Sequence, residues 1–154
     1  MPLHAVAYVS DAMAGIGSAD LDRMLQGALD FNRVAGVTAV LVFDGARFLQ
    51  YFEGPEDGVD SVYQRVLNAR LHGNLRELTH CSVAARRFPR WTMASTAVEP
   101  ALLDAMLAGR WDDCAMPGYA DAASAGACTG FAALRAVWTG EHGELEPAAV
   151  TLGS

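Results

Sequence analysis

Val37-Thr-Ala-Val-Leu-Val-Phe-Asp-Gly-Ala-Arg-Phe-Leu-Gln-Tyr-Phe-Glu-Gly54 carries the clearest structural signal in the chain. Asp44-Gly45 separates two runs rich in β-branched and aromatic residues, which predicts a β-hairpin closed by a type I′ turn with positive φ at both central residues. The first arm, Val37 to Phe43, is apolar on both faces and predicts a strand inside a sheet, covered on each side. The second arm holds an anomaly. Phe48, Gln50 and Phe52 share one face at period two, which sets an amide between two aromatic rings. A buried amide must find partners or cost about 1–3 kcal/mol. Gln50 is thus either an amide near a strand edge, bonded to water or backbone, or an amide facing a polar ligand.

At 154 residues and 52% hydrophobic, the chain is long enough for one domain with a real core. No apolar run approaches the ~20 residues that span a bilayer. The opening Met-Pro-Leu-His-Ala-Val lacks the features of a signal peptide. These observations predict a soluble cytoplasmic protein with no membrane partner. A net charge of −7 argues against nucleic acid as a direct partner, because phosphate contacts need a basic patch. The basic cluster Arg86-Arg87 with Arg90 is small and brackets a Phe-Pro turn. Cys81, Cys114 and Cys128 are odd in number and show no CxxC spacing, so they read as reduced thiols and not as a disulfide or zinc framework.

Upstream of the hairpin, Leu3 to Ser10 alternates as a strand. Leu3, Ala5, Ala7 and Val9 lie on one face, and His4, Val6, Tyr8 and Ser10 on the other. Both faces are mostly apolar, which predicts a central strand and a buried Tyr8 whose hydroxyl needs a partner. After a glycine-bearing loop, Ser18 is the predicted N-cap of a helix that ends at Ala35, stopped by Gly36. Leu21, Leu25, Ala28 and Asn32 form its stripe. Asn32, ending an apolar stripe, is either a C-terminal cap or an amide turned toward a ligand. Beyond the hairpin, Pro55 suits the first turn of a second helix whose buried stripe is Val59, Val62, Tyr63, Val66 and Leu67. Arg65, Arg70 and His72 near its end suit the helix dipole. Leu75 to Ala85 reads as a strand, Arg87 to Trp91 as a connection, and a short final strand ends near Thr96, with Trp91 and Met93 on one face. A helix over Glu99–Gly109, a loop, a helical stretch from about Ala120 to Val137 and a Gly/Glu/Pro-rich tail from Thr139 complete the chain. This divides it into 1–97, a C-terminal helical extension at 98–138 and a flexible tail at 139–154. The order β-α-β-β-α-β-β followed by helices predicts an α+β ferredoxin-like sandwich, a mixed five-stranded sheet with two helices on one face. The crevice between those helices is the natural ligand site.

Tyr8, Asn32, Gln50, Trp91 and Met93 all converge on the sheet face beneath the two helices. At these positions the chain resembles the BLUF family, blue-light sensors using FAD. The resemblance rests on Ala-Tyr8-Val-Ser10, Phe-Asn32, Gly-Val-Thr-Ala-Val-Leu, Gly-Ala-Arg-Phe-Leu-Gln50-Tyr-Phe-Glu-Gly-Pro and Arg-Arg-Phe-Pro-Arg-Trp91-Thr-Met93, spread over residues 3 to about 96. It implies a non-covalently held flavin between the helices: FAD, with FMN or riboflavin possible in its place. By that resemblance Tyr8 donates an electron and proton to the excited flavin, and Gln50 bridges phenol and flavin. Asn32 fixes the flavin's edge, while Arg65 and His72 are further flavin contacts. Met93 or Trp91 is the switching position beside Gln50. The resemblance further implies a photoreceptor without enzymatic turnover, relaying its state through C-terminal helices to a downstream signalling protein or through a homo-oligomer. Phe31 stands where the family has Asn or His. Ala69 and Leu71 replace an Asp and an Arg, and Ala39 replaces a Gly. These departures motivate a second reading, a flavin-free interaction module. A third, an acylphosphatase-type hydrolase, rests on a weak glycine signal at Gly15-Ile-Gly17.

Overall fold

The computed structural model describes residues 3–70, 72–88, 92–111 and 129–138. Strands at Leu3–Ala12 (β1), Thr38–Phe43 (β2), Arg47–Pro55 (β3), His72–Val83 (β4) and Ala94–Ala97 (β5) form one sheet in the order β4-β1-β3-β2-β5. Pairing is antiparallel except for β2 with β5, which run parallel. Helices Ser18–Ala35 (α1) and Glu56–Leu67 (α2) pack on one face, and Pro100–Ala108 (α3) and Thr129–Trp138 (α4) on the other. The expected sandwich is therefore the one formed.

Strict alternation divides the core in two. Val6, Tyr8, Leu41, Phe48 and Phe52 point up to α1 and α2. Ala5, Ala7, Val40, Leu49 and Tyr51 point down to Leu103, Met106, Phe131 and Leu134. A strand that buries both faces reads as a continuous apolar run, as β2 does. β1 is central, and its register with β4 slips by one residue between Ala7 and Tyr8. Such a bulge bends the strand locally and changes how its side chains are aimed.

Gly36 ends α1 in the left-handed conformation, with φ 75°, as its residue type predicts. Other details differ from the sequence expectation. The N-cap of α1 is Gly17, not Ser18, and Asp20 turns back to accept the Gly17 N–H. The hairpin turn is not type I′. Only Gly45 has positive φ, at 98°, and Asp44 keeps an ordinary backbone. The Asp44 carboxylate instead accepts the N–H groups of Ala46 and Arg47 and pairs with the Arg47 guanidinium. Burial opposes its charge, yet those bonds and Arg47 together hold its pKa below the usual carboxylate range. Leu67, predicted to be buried, is 50% exposed because α2 ends there. His72 opens β4 and does not close α2, so β4 starts three residues earlier than its apolar pattern suggests. Trp91, Cys114, Cys128, the 112–128 part of the expected C-terminal helical extension and the tail from Thr139 lie outside the described residues.

At the other end of the cleft from His72, the C-terminus of α1 meets the first turn of α2. A Cβ on Gly58 would run into the carbonyl oxygen of Ala35 and press on Val37. That oxygen is backbone and cannot swing away. Gly58→Ala should therefore cost about 2 kcal/mol by overpacking, seen as a lower urea midpoint with an unchanged slope in equilibrium unfolding.

Candidate functional site

A cleft lies between α1 and α2 with the sheet as its floor. It encloses about 50 Å³ and widens toward solvent to about 480 Å³ in all. Tyr8, Asn32, Gln50, Arg65, His72 and Met93 line it, among Met24, Ala28, Leu41, Phe48, Val62, Val66 and Ala69. Each sequence-predicted site residue that the structure describes is thus in one place; Trp91 lies outside the described residues.

β1 and β3 set Tyr8 directly opposite Gln50 in the ladder. The Tyr8 hydroxyl donates to Gln50 Oε1 at 2.5 Å. Burial, with a contribution from Tyr63, raises the pKa of the Tyr8 phenol well above its ordinary value, so it keeps its proton. Gln50 is placed with its oxygen toward Tyr8 and its nitrogen toward Met93 and the cleft. That nitrogen is poorly served. Gln50 is only 4% exposed, and among the described residues the partner of Nε2 is the Met93 thioether at 3.8 Å, a weak acceptor. The sequence left two readings of Gln50 open, and the structure puts the amide on the cleft floor.

Asn32 also lines the cleft. Its backbone carbonyl accepts the Val37 N–H at the end of α1, so the cap needs no side chain. The side-chain nitrogen donates to the Thr92 carbonyl at 3.0 Å and lies 4.0 Å from Met93 Sδ. Among the described residues its oxygen has no partner. Asn32 thereby ties α1 to the segment that carries Met93 into the cleft. Arg65 lies across the mouth, its guanidinium 5.4 Å from the Phe31 ring centre. It fits because residue 27 is glycine; a Cβ there would sit 2.8 Å from Arg65 Nη2.

His72 is placed at the far end of the cleft, with both ring nitrogens engaged. Nδ1 meets Ser10 Oγ at 2.6 Å and Nε2 meets the Val66 carbonyl at 2.9 Å. A carbonyl only accepts, so Nε2 carries a proton, and the ring links the end of α2 to β1. His72 is left with its ring face to offer the cleft. Sequence reasoning missed Ser10 in this role, although it shares the Tyr8 face of β1. It also missed Glu53, which is fully buried on the opposite face of β3. The available signal was an acid at period two from Tyr51 in a strand otherwise apolar. Among the described residues no group of His, Cys, Asp and Glu is placed to hold a metal ion. Nor is any helix there long and apolar enough to cross a membrane.

Fold and site together define a ferredoxin-like sandwich with an interhelical cleft and a phenol–amide pair at its base. The family described as sensors of blue light using FAD, BLUF, matches residues 3–94. The chain belongs to the BLUF family. Over 68 residues, 44% of this chain, it is 35% identical to the blue light- and temperature-regulated antirepressor BluF of Escherichia coli, and it spans 17% of that relative's length. The dark-state structure of BlrB, a BLUF protein, superimposes with a TM-score of 0.60 at 25% identity, covering 62% of this chain and 73% of BlrB. Klebsiella pneumoniae BlrP1, solved with FMN and cyclic diGMP, gives a TM-score of 0.56 at 28% identity over 63% of this chain and 26% of that one.

Tyr8→Phe strands a buried amide oxygen and should lower stability by about 1–2 kcal/mol at neutral pH. The folded-state pKa of Tyr8 lies above its ordinary value of 10, so its contribution is complete below pH 10 and is lost as pH climbs through the folded value. The gap between wild type and Tyr8→Phe in urea unfolding should accordingly narrow above pH 10.

Proposed function

We propose that this chain is a blue-light photoreceptor that binds a flavin between α1 and α2 and carries no turnover of its own. One observation bears most of the weight: Gln50 holds its oxygen on the Tyr8 hydroxyl at 2.5 Å and turns an under-bonded N–H toward the cleft. The donor set fits a flavin's polar edge. Gln50 Nε2 supplies a donor, Asn32 offers both an amide oxygen and a nitrogen, and Arg65 brings a cation to the mouth. A tricyclic ring system needs the open part of the cleft as well as its enclosed floor, since ligand pockets hold about 300–1,000 Å³. The family's description favours FAD, and the relative solved with FMN makes a shorter flavin the runner-up.

When bound, the flavin would supply a light-absorbing oxidant. The protein's part begins at Tyr8. Its buried phenol holds a proton on a short bond to Gln50, the path along which that proton leaves and returns. Gln50 answers because an amide presents a donor at one end and an acceptor at the other, so rotation or tautomerisation exchanges the two toward the cleft. Met93 opposes this exchange only weakly, through a thioether contact. Asn32 reads the result, because its nitrogen rests on the Thr92 carbonyl beside Met93. From there the change passes to β5 and the C-terminal helices, and onward to a protein partner or a second copy. The relative named as an antirepressor supports the protein partner.

The flavin-free module is the competing reading. It is favoured by Ala69, which lines the cleft with a bare methyl group, and by Arg65 resting on Phe31. Absorption spectra of the purified protein in the dark and after blue light separate the two. A flavin spectrum with a reversible red shift is expected; a protein that stays colourless after addition of FAD would establish the module instead. Gln50→Leu should retain the flavin and lose the red shift. A normal shift in that variant would remove Gln50 from the mechanism.

A further inference from the structure

The face of β3 that points away from the cleft carries a buried acid which the photochemistry does not use. Glu53 is 0% exposed and sits three residues from Gln50 on the opposite face. One carboxylate oxygen accepts the Tyr51 hydroxyl at 2.8 Å. The other accepts two backbone N–H groups, from Arg87 at 2.7 Å and Phe88 at 2.6 Å. Those two residues begin the segment that leads to Thr92 and Met93 in the cleft. The same segment is fixed from its other side by Arg86, which donates to the Gly36 carbonyl at 2.7 Å and to Thr38 Oγ1 at 3.1 Å. The pair Arg86-Arg87 is therefore an internal fastening.

Every arm of this node meets one ring on α4. Phe131 is fully buried, with its centre 4.9 Å from that of Tyr51, 5.6 Å from that of Phe88 and 5.2 Å from the Arg87 guanidinium carbon. Burial and Glu53 raise the pKa of the Tyr51 hydroxyl while the Arg87 guanidinium lowers it, each partner by its charge and by a hydrogen bond, which ties the three polar groups into one unit. Only four positions separate Phe88 from Thr92, so a displacement at Thr92 reaches the anchored pair through at most about 14 Å of chain.

We infer that Glu53 is a positioning residue that couples the cleft to the C-terminal helix, by holding Arg87 and Phe88 of the Met93-bearing segment against Phe131 of α4. The coupling rests on the light-sensor reading; the docking of α4 does not. A carboxylate only accepts hydrogen bonds, and all three donors at Glu53 need an acceptor. Glu53→Gln removes the charge that strengthens all three bonds: the amide oxygen can keep the two backbone N–H groups only with its N–H₂ turned to the Tyr51 hydroxyl, which must reverse to accept, so the node is weakened. α4 would then open more often, and amide exchange reports such local opening.

The test is hydrogen–deuterium exchange of the full chain in the dark and under blue light, read over residues 129–138, with flavin spectra taken on the same samples. In wild type, light should change exchange in α4. In Glu53→Gln the flavin spectrum and its red shift should persist. Dark exchange in α4 should rise about tenfold, with α1 and α2 unchanged, and the light-dependent change in α4 should vanish. Tyr51→Phe keeps the ring on Phe131 and removes only the hydroxyl; it should show the same pattern at reduced size, and it serves if the Gln variant does not fold. The inference is overturned if α4 in the variants exchanges like wild type in both states, if wild-type α4 ignores light, or if the red shift disappears with the node. A protein without flavin refutes the light-sensor reading and the coupling with it. The dark comparison, which needs no flavin, then still decides whether Glu53 holds α4.

Discussion

A strand buried on both faces cannot send a polar side chain to water. β3 is such a strand, and it carries two polar side chains in its middle. Each must be satisfied inside the protein. Gln50, pointing up, is met by the Tyr8 phenol from β1 and by the Met93 thioether. Glu53, pointing down, is met by Tyr51 and by the two amides at the start of the chain that returns to the cleft as Met93. The strand's period of two thus sorts one group to the ligand side and the other to the helical layer behind. Most of the arrangement follows from that sorting, including which residues of β1 and β2 face which core.

Much of this is legible in the amino-acid pattern. The alternation in Leu3–Ser10 and in the Val37–Gly54 hairpin marks both faces of the sheet, because a sheet with two covers leaves little freedom in pattern. The amide set between Phe48 and Phe52 points to the cleft floor, and Asn32 at the end of an apolar stripe points to its wall. What the pattern hides is either local or long-range. The hairpin turn departs from expectation because the Asp44 carboxylate satisfies the turn's amides itself, which leaves a single residue with positive φ. His72 resembles a helix-end cation because the dipole argument needs only a position. Its ring instead completes two hydrogen bonds, to Ser10 and Val66, that sequence spacing does not disclose. Glu53 gives little warning because a buried acid is costly unless several donors converge on it, and those donors come from a segment more than thirty positions away.

The cleft itself is a compromise between holding and changing. Tyr8 to Gln50 is a short bond between buried groups, strong enough to set one orientation of the amide. The other end of the same amide rests on sulfur. The Gln50 amide is thus held firmly at its oxygen and softly at its nitrogen. Arg65 on Phe31 and His72 between Ser10 and Val66 close the two ends around it, the first by a surface contact and the second by paired hydrogen bonds.

The outer margins of the sheet bear on self-association. A free strand edge is a template on which another chain can pair. β4 forms one margin and displays Arg76, Glu77, His80 and Ser82 to solvent, with Asn74 at a φ of 52° breaking its run. β5 forms the other margin and is four residues long. One edge is charged and irregular, and the other is too short to seed a ladder. Growth of the described sheet from molecule to molecule is thereby discouraged at both ends.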